Sequence, residues 1–488
     1  MSEKPAQGFR EGATGDPLGS LAGCAQAIRT GAASPLDVVR EALARIEAGD
    51  PALNSLVTVN DRAEAEAHTA TEEIRGGRLR GPLHGVPVVV KDVIDTAGMR
   101  TTMGTVAFTG HRPEADAEVV RRLKEAGAVI VGKANTDAFA AHATGTMSFG
   151  GPVRNPADPS RITGGSSGGT AAALAAGFCV AGIGTDTGGS IRIPAALCGV
   201  VGMKPTYGLV GSGGLYPLAP TLDHVGPMSR TVEDNALVLN VIAGHDSGDP
   251  VSARRPPEDY TRLLGRGVRG GGVAVLSGGA YDETDPAVGE AVAAVSAALT
   301  AAGASLSYPD PSPVDGALDH FFAIVAAEVS DTHAQQLARM PAVYPPAVRD
   351  GLRAYASMPR DRYAVALRER DRVRAAYVRL LADADVLLCP TVPVPAPPQD
   401  ARTVALGGAD VPVGRALIRF TGQHNLTGLP CLTVPFPGRP GELPVGVQLI
   451  GRPFDEAALY RYGHAVEREL TPPGGGGGPA MAALQGRT

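Results

Sequence analysis

The stretch GTDTGGSIRIPAALCGVVGMKPTYG, residues 184–208, decides how this chain is read. The apolar run leading into it, CVAGIG at 179–184, has the composition of a buried strand. TDTGGS at 185–190 then turns the chain, and a helical pattern resumes after Ser190. Two glycines in such a turn let the backbone adopt positive φ and approach a ligand closely. Successive amide N–H groups in a turn of this kind point into one concavity, and the start of a helix adds its positive dipole end. Ser190 thus stands where the amides of Thr187, Gly188, Gly189 and Ser190 are placed to hold the oxygen of an attacked carbonyl. Stabilisation of that kind is worth roughly 3–4 kcal/mol per good donor. A lone Gly-Gly-Ser is more often an ordinary turn, so the neighbouring segments must decide.

One helix and one strand upstream lies GGSSGG, 164–169. In isolation it reads as a flexible linker. Here it opens directly into an Ala-rich helix at 170–176, so its loop and the Ser190 loop meet at one sheet edge. The stretch satisfies G-x-S-x-G twice, centred on Ser166 and on Ser167, which invites a nucleophile-elbow reading. An elbow needs a strand immediately before it, and NPADPSRIT at 155–163 is a poor central strand. Further upstream, VPVVV at 86–90 reads as a buried strand that delivers Lys91 at its exit. Most lysines at strand ends are surface groups. A buried one loses its proton more readily and becomes a base, and Ser–Lys pairs are a known nucleophile–base arrangement. His142 and His224 flank the region without a motif that fixes a tautomer, and read as structural or pocket polar groups.

The wider pattern is α/β. A helix over 113–126 precedes a strand at 128–132 (AVIVG), and this alternation continues through the segments above. Ser34-Pro35 opens an amphipathic helix over 36–48. Residues 244–272 read as a surface linker or insertion, 273–385 as mostly helical with a strand near 273–276, and 417–450 as strand and loop again.

Composition excludes several classes. The chain has 488 residues, is 44% hydrophobic and 19% charged, and carries a net charge of −6 from 44 basic and 50 acidic residues. No basic run is present to neutralise a phosphate backbone, so nucleic-acid binding is disfavoured. Five cysteines without a CxxC pair, and ten histidines without HExxH, argue against a disulfide scaffold and a zinc site. No run of about eighteen apolar residues indicates a membrane span. The polar start, MSEKPAQGFREG, lacks the apolar core of a signal peptide, so cytoplasmic residence is expected.

Taken together, GVPVVVKDVID (85–95), GGSSGGTAAALAAG (164–177) and 184–208 resemble the amidase signature family. The resemblance runs from about residue 25 to 245 and resumes at 419–437 and 446–456. It implies one α/β/α domain around a large, twisted, mixed sheet covered by helices on both faces. It implies a Ser–cisSer–Lys triad of Ser190 (nucleophile), Ser166 (bridging serine with a cis peptide bond) and Lys91 (base), with no metal and no organic cofactor. Asp186 and Arg192 would support the loop. The domain is expected over 19–472, with a variable helical insertion at about 245–385, a disordered start over 1–18 and a disordered Gly-rich tail over 473–488.

The implied activity is hydrolysis of carboxamide C–N bonds. The expected partners are a small-molecule amide and, if the chain self-associates, a second copy in a homodimer. The cleft would be formed by residues near 135–150, 210–225 and 310–370, with Gln423 and Asn425 against the substrate. Low aromatic content (4%) hints at an aliphatic or small polar acyl group. The rival within the family is the glutaminase-type A subunit of a tRNA-dependent amidotransferase. Its members usually read SIRQPA after the nucleophile and carry an FASSLDQ-type segment. SIRIPA and LAPTLDHVGPM (218–228) depart from both, which favours a free-standing amidase. A non-catalytic binding module would lack a triad residue, and all three are present.

Overall fold

The computed structural model describes residues 16–436 and 441–470. Eleven strands form one mixed sheet. In chain order they are β1 (Leu56–Val59), β2 (Pro87–Lys91), β3 (Val129–Ala134), β4 (Ala181–Asp186), β5 (Val201–Lys204) and β6 (His224–Ser229). There follow β7 (Gly272–Val275), β8 (Ser305–Ser307), β9 (Val386–Pro390), β10 (Cys431–Phe436) and β11 (Val445–Ile450). Their spatial order is β1-β3-β2-β4-β6-β5-β10-β11-β9-β7-β8. β3, β2 and β4 run parallel, as do β9, β7 and β8, while the strands between them pair antiparallel.

Both faces are covered, and the alternation of side chains shows it. Val88 and Val90 of β2 enter one apolar cluster, and Val89 between them enters another. Successive residues of a strand point to opposite faces, so a strand apolar on both must be roofed twice. One cluster takes in the helices Leu21–Thr30, Glu118–Glu125 and Val232–Ile242. The other takes in Pro35–Leu53 and Gly168–Ala175. Ser34 caps the helix Pro35–Leu53, accepting from the Asp37 amide at 3.1 Å, and that helix runs beyond the expected 48 to Leu53.

Three sequence expectations need correction or limit. The disordered start does not reach residue 18: Leu18 is fully buried, and its carbonyl accepts from Arg230. Residues 1–15, and the tail expected over 473–488, lie outside the described residues. The span 245–385 is not a helical insertion throughout, because β7 and β8 within it extend the main sheet beside β9. Of its four α-helices, Pro286–Ala301 packs on β9 and β11 of the sheet, and Ala317–Arg339, Pro346–Ala356 and Asp361–Leu380 form a cap. Residues 155–163 stay outside the main sheet: Arg154–Asn155 pairs with Asp158–Ile162, and the Ile162 amide donates to the Pro397 carbonyl at 3.0 Å.

Candidate active site

Parallel strands β2 and β4 end side by side, and the site is built where they stop. Lys91, the last residue of β2, is fully buried. Its Nζ lies 2.7 Å from Ser166 Oγ and 2.7 Å from Thr185 Oγ1 on β4. Burial pulls its pKa down to about 7, against the opposing pull of the Asp137, Asp186 and Asp223 carboxylates. Loss of solvent outweighs three negative charges here because none of those carboxylates makes an ion pair with Lys91.

Ser166 is also fully buried and follows a cis Gly165–Ser166 peptide bond. A side chain at Gly165 would collide with the Asp137 carboxylate, which accepts the Gly145 and Met147 amides at 2.9 and 2.8 Å. The next residue joins this loop to the other one: Ser167 N–H donates to the Ser190 carbonyl at 3.1 Å. Ser167 Oγ also donates to the Thr185 carbonyl at 3.2 Å. Ser190 is 7% exposed and lines a cavity of about 430 Å³.

Asp186 organises the turn between β4 and Ser190. It accepts from the amides of Gly189 at 2.8 Å and Ile191 at 3.2 Å, and is paired on both oxygens with Arg192 at 3.0 Å. Both partners are fully buried. The Arg192 charge and these hydrogen bonds hold the Asp186 carboxyl well below its usual range despite its burial. Gly189 is therefore removed from the expected oxyanion cradle, because its N–H already points at Asp186. Among the described residues the amides of Thr187, Gly188 and Ser190 have no protein acceptor, which leaves those three for a ligand oxygen.

Gln423 and Asn425, expected against the substrate, do not line the cavity. Gln423 Nε2 donates to Tyr281 Oη at 2.9 Å. Asn425 Nδ2 donates to the Asp186 carbonyl and carboxylate at 2.9 and 2.8 Å, and its Oδ1 accepts from Arg192 at 2.6 Å. The Asn425 amide is thus spent at both ends inside the protein, bracing the loop that carries Ser190. His142 does line the cavity, with Nδ1 2.9 Å from Thr144 Oγ1. His224 is buried with Nε2 3.2 Å from Lys204 Nζ, and burial with that neighbouring charge drives its pKa far down.

Asp223 escaped the sequence reading. Its Oδ1 accepts the Thr187 hydroxyl at 2.6 Å, and its carboxylate also takes the Leu218 and Ala219 amides. Burial pushes its carboxyl up to about 6. No described group of three or more His, Cys, Asp or Glu residues could hold a metal ion. No described helix is long and apolar enough to cross a membrane.

The family profile described as Amidase matches residues 37–460. The A subunit of glutamyl-tRNA(Gln) amidotransferase from Anaeromyxobacter sp. (strain K) is 42% identical over 487 aligned positions, covering 90% of this chain and 94% of the relative. A solved amidase is 36% identical at a TM-score of 0.84, covering 93% of this chain and all of that one. A bacterial aryl acylamidase of the amidase signature family is 26% identical at a TM-score of 0.87, covering 97% of this chain and all of that one. The profile match, the identity to these relatives and the near-complete coverage agree: this chain belongs to the amidase signature family.

Proposed function

We propose that this chain hydrolyses carboxamide C–N bonds through an acyl-enzyme on Ser190. The observation that carries the reading is the buried Lys91 amine 2.7 Å from Ser166 Oγ, beside a loop that presents Ser190 to a cavity. In the proposed reaction uncharged Lys91 accepts the Ser166 proton as Ser166 accepts that of Ser190. Ser190 Oγ bonds to the carbonyl carbon, and the amides of Thr187, Gly188 and Ser190 hold the oxyanion. The C–N bond breaks as the relay returns the proton to the leaving nitrogen. Water, deprotonated by the same relay, then releases the acid and frees Ser190.

A second reading is favoured by the relatives. Curated sequences at 38–42% identity across 94% of their length carry the name of the glutamyl-tRNA(Gln) amidotransferase A subunit. That likeness supports a component that draws ammonia from an amide within a larger assembly. It outweighs the local departures at SIRIPA and LAPTLDHVGPM, which taken alone favour a free-standing enzyme. Both readings share the chemistry at Ser190. A non-catalytic binding module is disfavoured because Lys91 and Ser166 are in contact where such a module has no need of them.

Ammonia release from a panel of primary amides tests the shared chemistry. The purified chain releases ammonia and Ser190→Ala does not; equal release by both would remove Ser190 from the reaction. A chain that needs companion proteins for measurable turnover would decide for the amidotransferase reading.

A further inference from the structure

We infer that the cavity at Ser190 accepts an uncharged amide bearing an apolar group, and that free glutamine is a poor fit. The inference rests on the proposed amide hydrolysis, names its substrate class, and sides with the free-standing enzyme against the amidotransferase reading. The polar lining is small: Thr187, Gly188 and Ser190 of one loop, with His142, Tyr355 and Arg415 from other segments. Most of the remaining wall is apolar. Phe321, Val325 and Val329 come from the helix Ala317–Arg339, and Val348 and Leu352 from Pro346–Ala356. Phe321 stands hard against the oxyanion loop: a Cβ added at Gly188 would lie 2.7 Å from its ring. The apolar wall therefore starts beside the attacked carbonyl and does not wait for the outer part of the cleft.

Charge makes the same selection. Among the described residues lining the cavity there is no carboxylate. The acids of the nucleophile loop and its support are committed elsewhere, Asp186 to Arg192 and Asn425, Asp223 to Thr187 and two backbone amides. The charged lining residue is Arg415, more than half exposed, 3.8 Å from the exposed Asp319 carboxylate outside the lining and over the Phe322 ring at 5.3 Å. The carboxylate of glutamine would meet an arginine already paired, and its ammonium would enter a chamber whose lining residues carry no counter-charge. Burying an unpaired charge in such surroundings is strongly unfavourable. A volume of about 430 Å³ admits a ligand well beyond acetamide in size.

The test measures kcat/KM by ammonia release for the full chain with acetamide, butyramide, hexanamide, phenylacetamide and L-glutamine. Fluorophosphonate labelling of Ser190 runs beside it. Expected is a rise of about fourfold per added methylene until the cavity is filled. Glutamine is expected at least about a hundredfold below hexanamide. Val325→Trp should raise KM for hexanamide about tenfold and that for acetamide by less, and Val325→Leu gives the same direction more weakly if the larger residue is not accommodated. Glutamine turned over faster than hexanamide, or a labelled Ser190 with no ammonia from any apolar amide, overturns the inference. No labelling and no ammonia from any amide overturns the hydrolase reading beneath it.

Discussion

Lys91 is asked to do something an ordinary lysine cannot: give up its proton near neutrality. Its depressed pKa sets the sign of the pH dependence. Below about 7 the amine is charged and cannot accept from Ser166; above it the amine is neutral and can. The account therefore predicts a kcat/KM that rises as pH passes through about 7. Lys91→Ala should lower kcat by about 10²–10⁴-fold, within the range that general-base loss costs. Lys91→Arg should not restore it, because a guanidinium stays charged at any working pH. A pH–rate profile of the three proteins checks all three statements; full activity in the arginine variant would contradict the assignment of Lys91 as the base. The placement of Lys91 beside Ser166 was legible in sequence because a lysine closing a β-branched run and a serine between glycines are local signals. The commitment of the Gly189 amide to Asp186 also had a local signal, an Asp three residues ahead of an amide in TDTGGS, as in an Asx turn or N-cap. Gln423 and Asn425 had none, since their partners, Tyr281 and Asp186, lie far away in sequence.

At the scale of elements, the turn after β4 is held by two acids with different tasks. Asp186 ties the loop to Arg192 and Asn425 in a fully buried pair. Breaking such a pair leaves an uncompensated charge, so Arg192→Ala should destabilise the protein by about 3–5 kcal/mol. Thermal or urea unfolding measures this, and a loss below about 1 kcal/mol would contradict it. Asp223 accepts the Thr187 hydroxyl, and in the proposed reaction this bond positions the amides offered to the oxyanion. Asp223→Asn and Thr187→Val should each lower kcat by about ten- to a hundredfold with KM little changed, approaching the cost of an oxyanion donor. The two effects should fail to add in the double variant because they share one hydrogen bond. Strictly additive losses would show that the two residues act separately. β8 was hidden in a span that reads as helical for a related reason. Ser305–Ser307 is a three-residue edge strand with its serines outward, too short for alternation to register.

For the whole molecule, the sheet brings together residues that the chain keeps far apart, and the cap decides what reaches them. Strand runs such as 86–90 and 128–132 announced the sheet, because a strand roofed on both faces is apolar throughout. The cap over 317–380 was legible as helix but not as wall. Which helix faces enclose Ser190 depends on how three amphipathic elements pack on one another. The central claim concerns Ser190, Ser166 and Lys91 acting as one relay. Its most direct test is the rate of fluorophosphonate adduct formation on the intact chain across pH 5–9, with the modified peptide identified by mass spectrometry. The account predicts an adduct on the peptide containing Ser190, forming faster as pH passes through about 7 in the parent and only slowly, without that rise, in Lys91→Ala. An adduct on another residue, or a rate in Lys91→Ala that matches the parent, would contradict it.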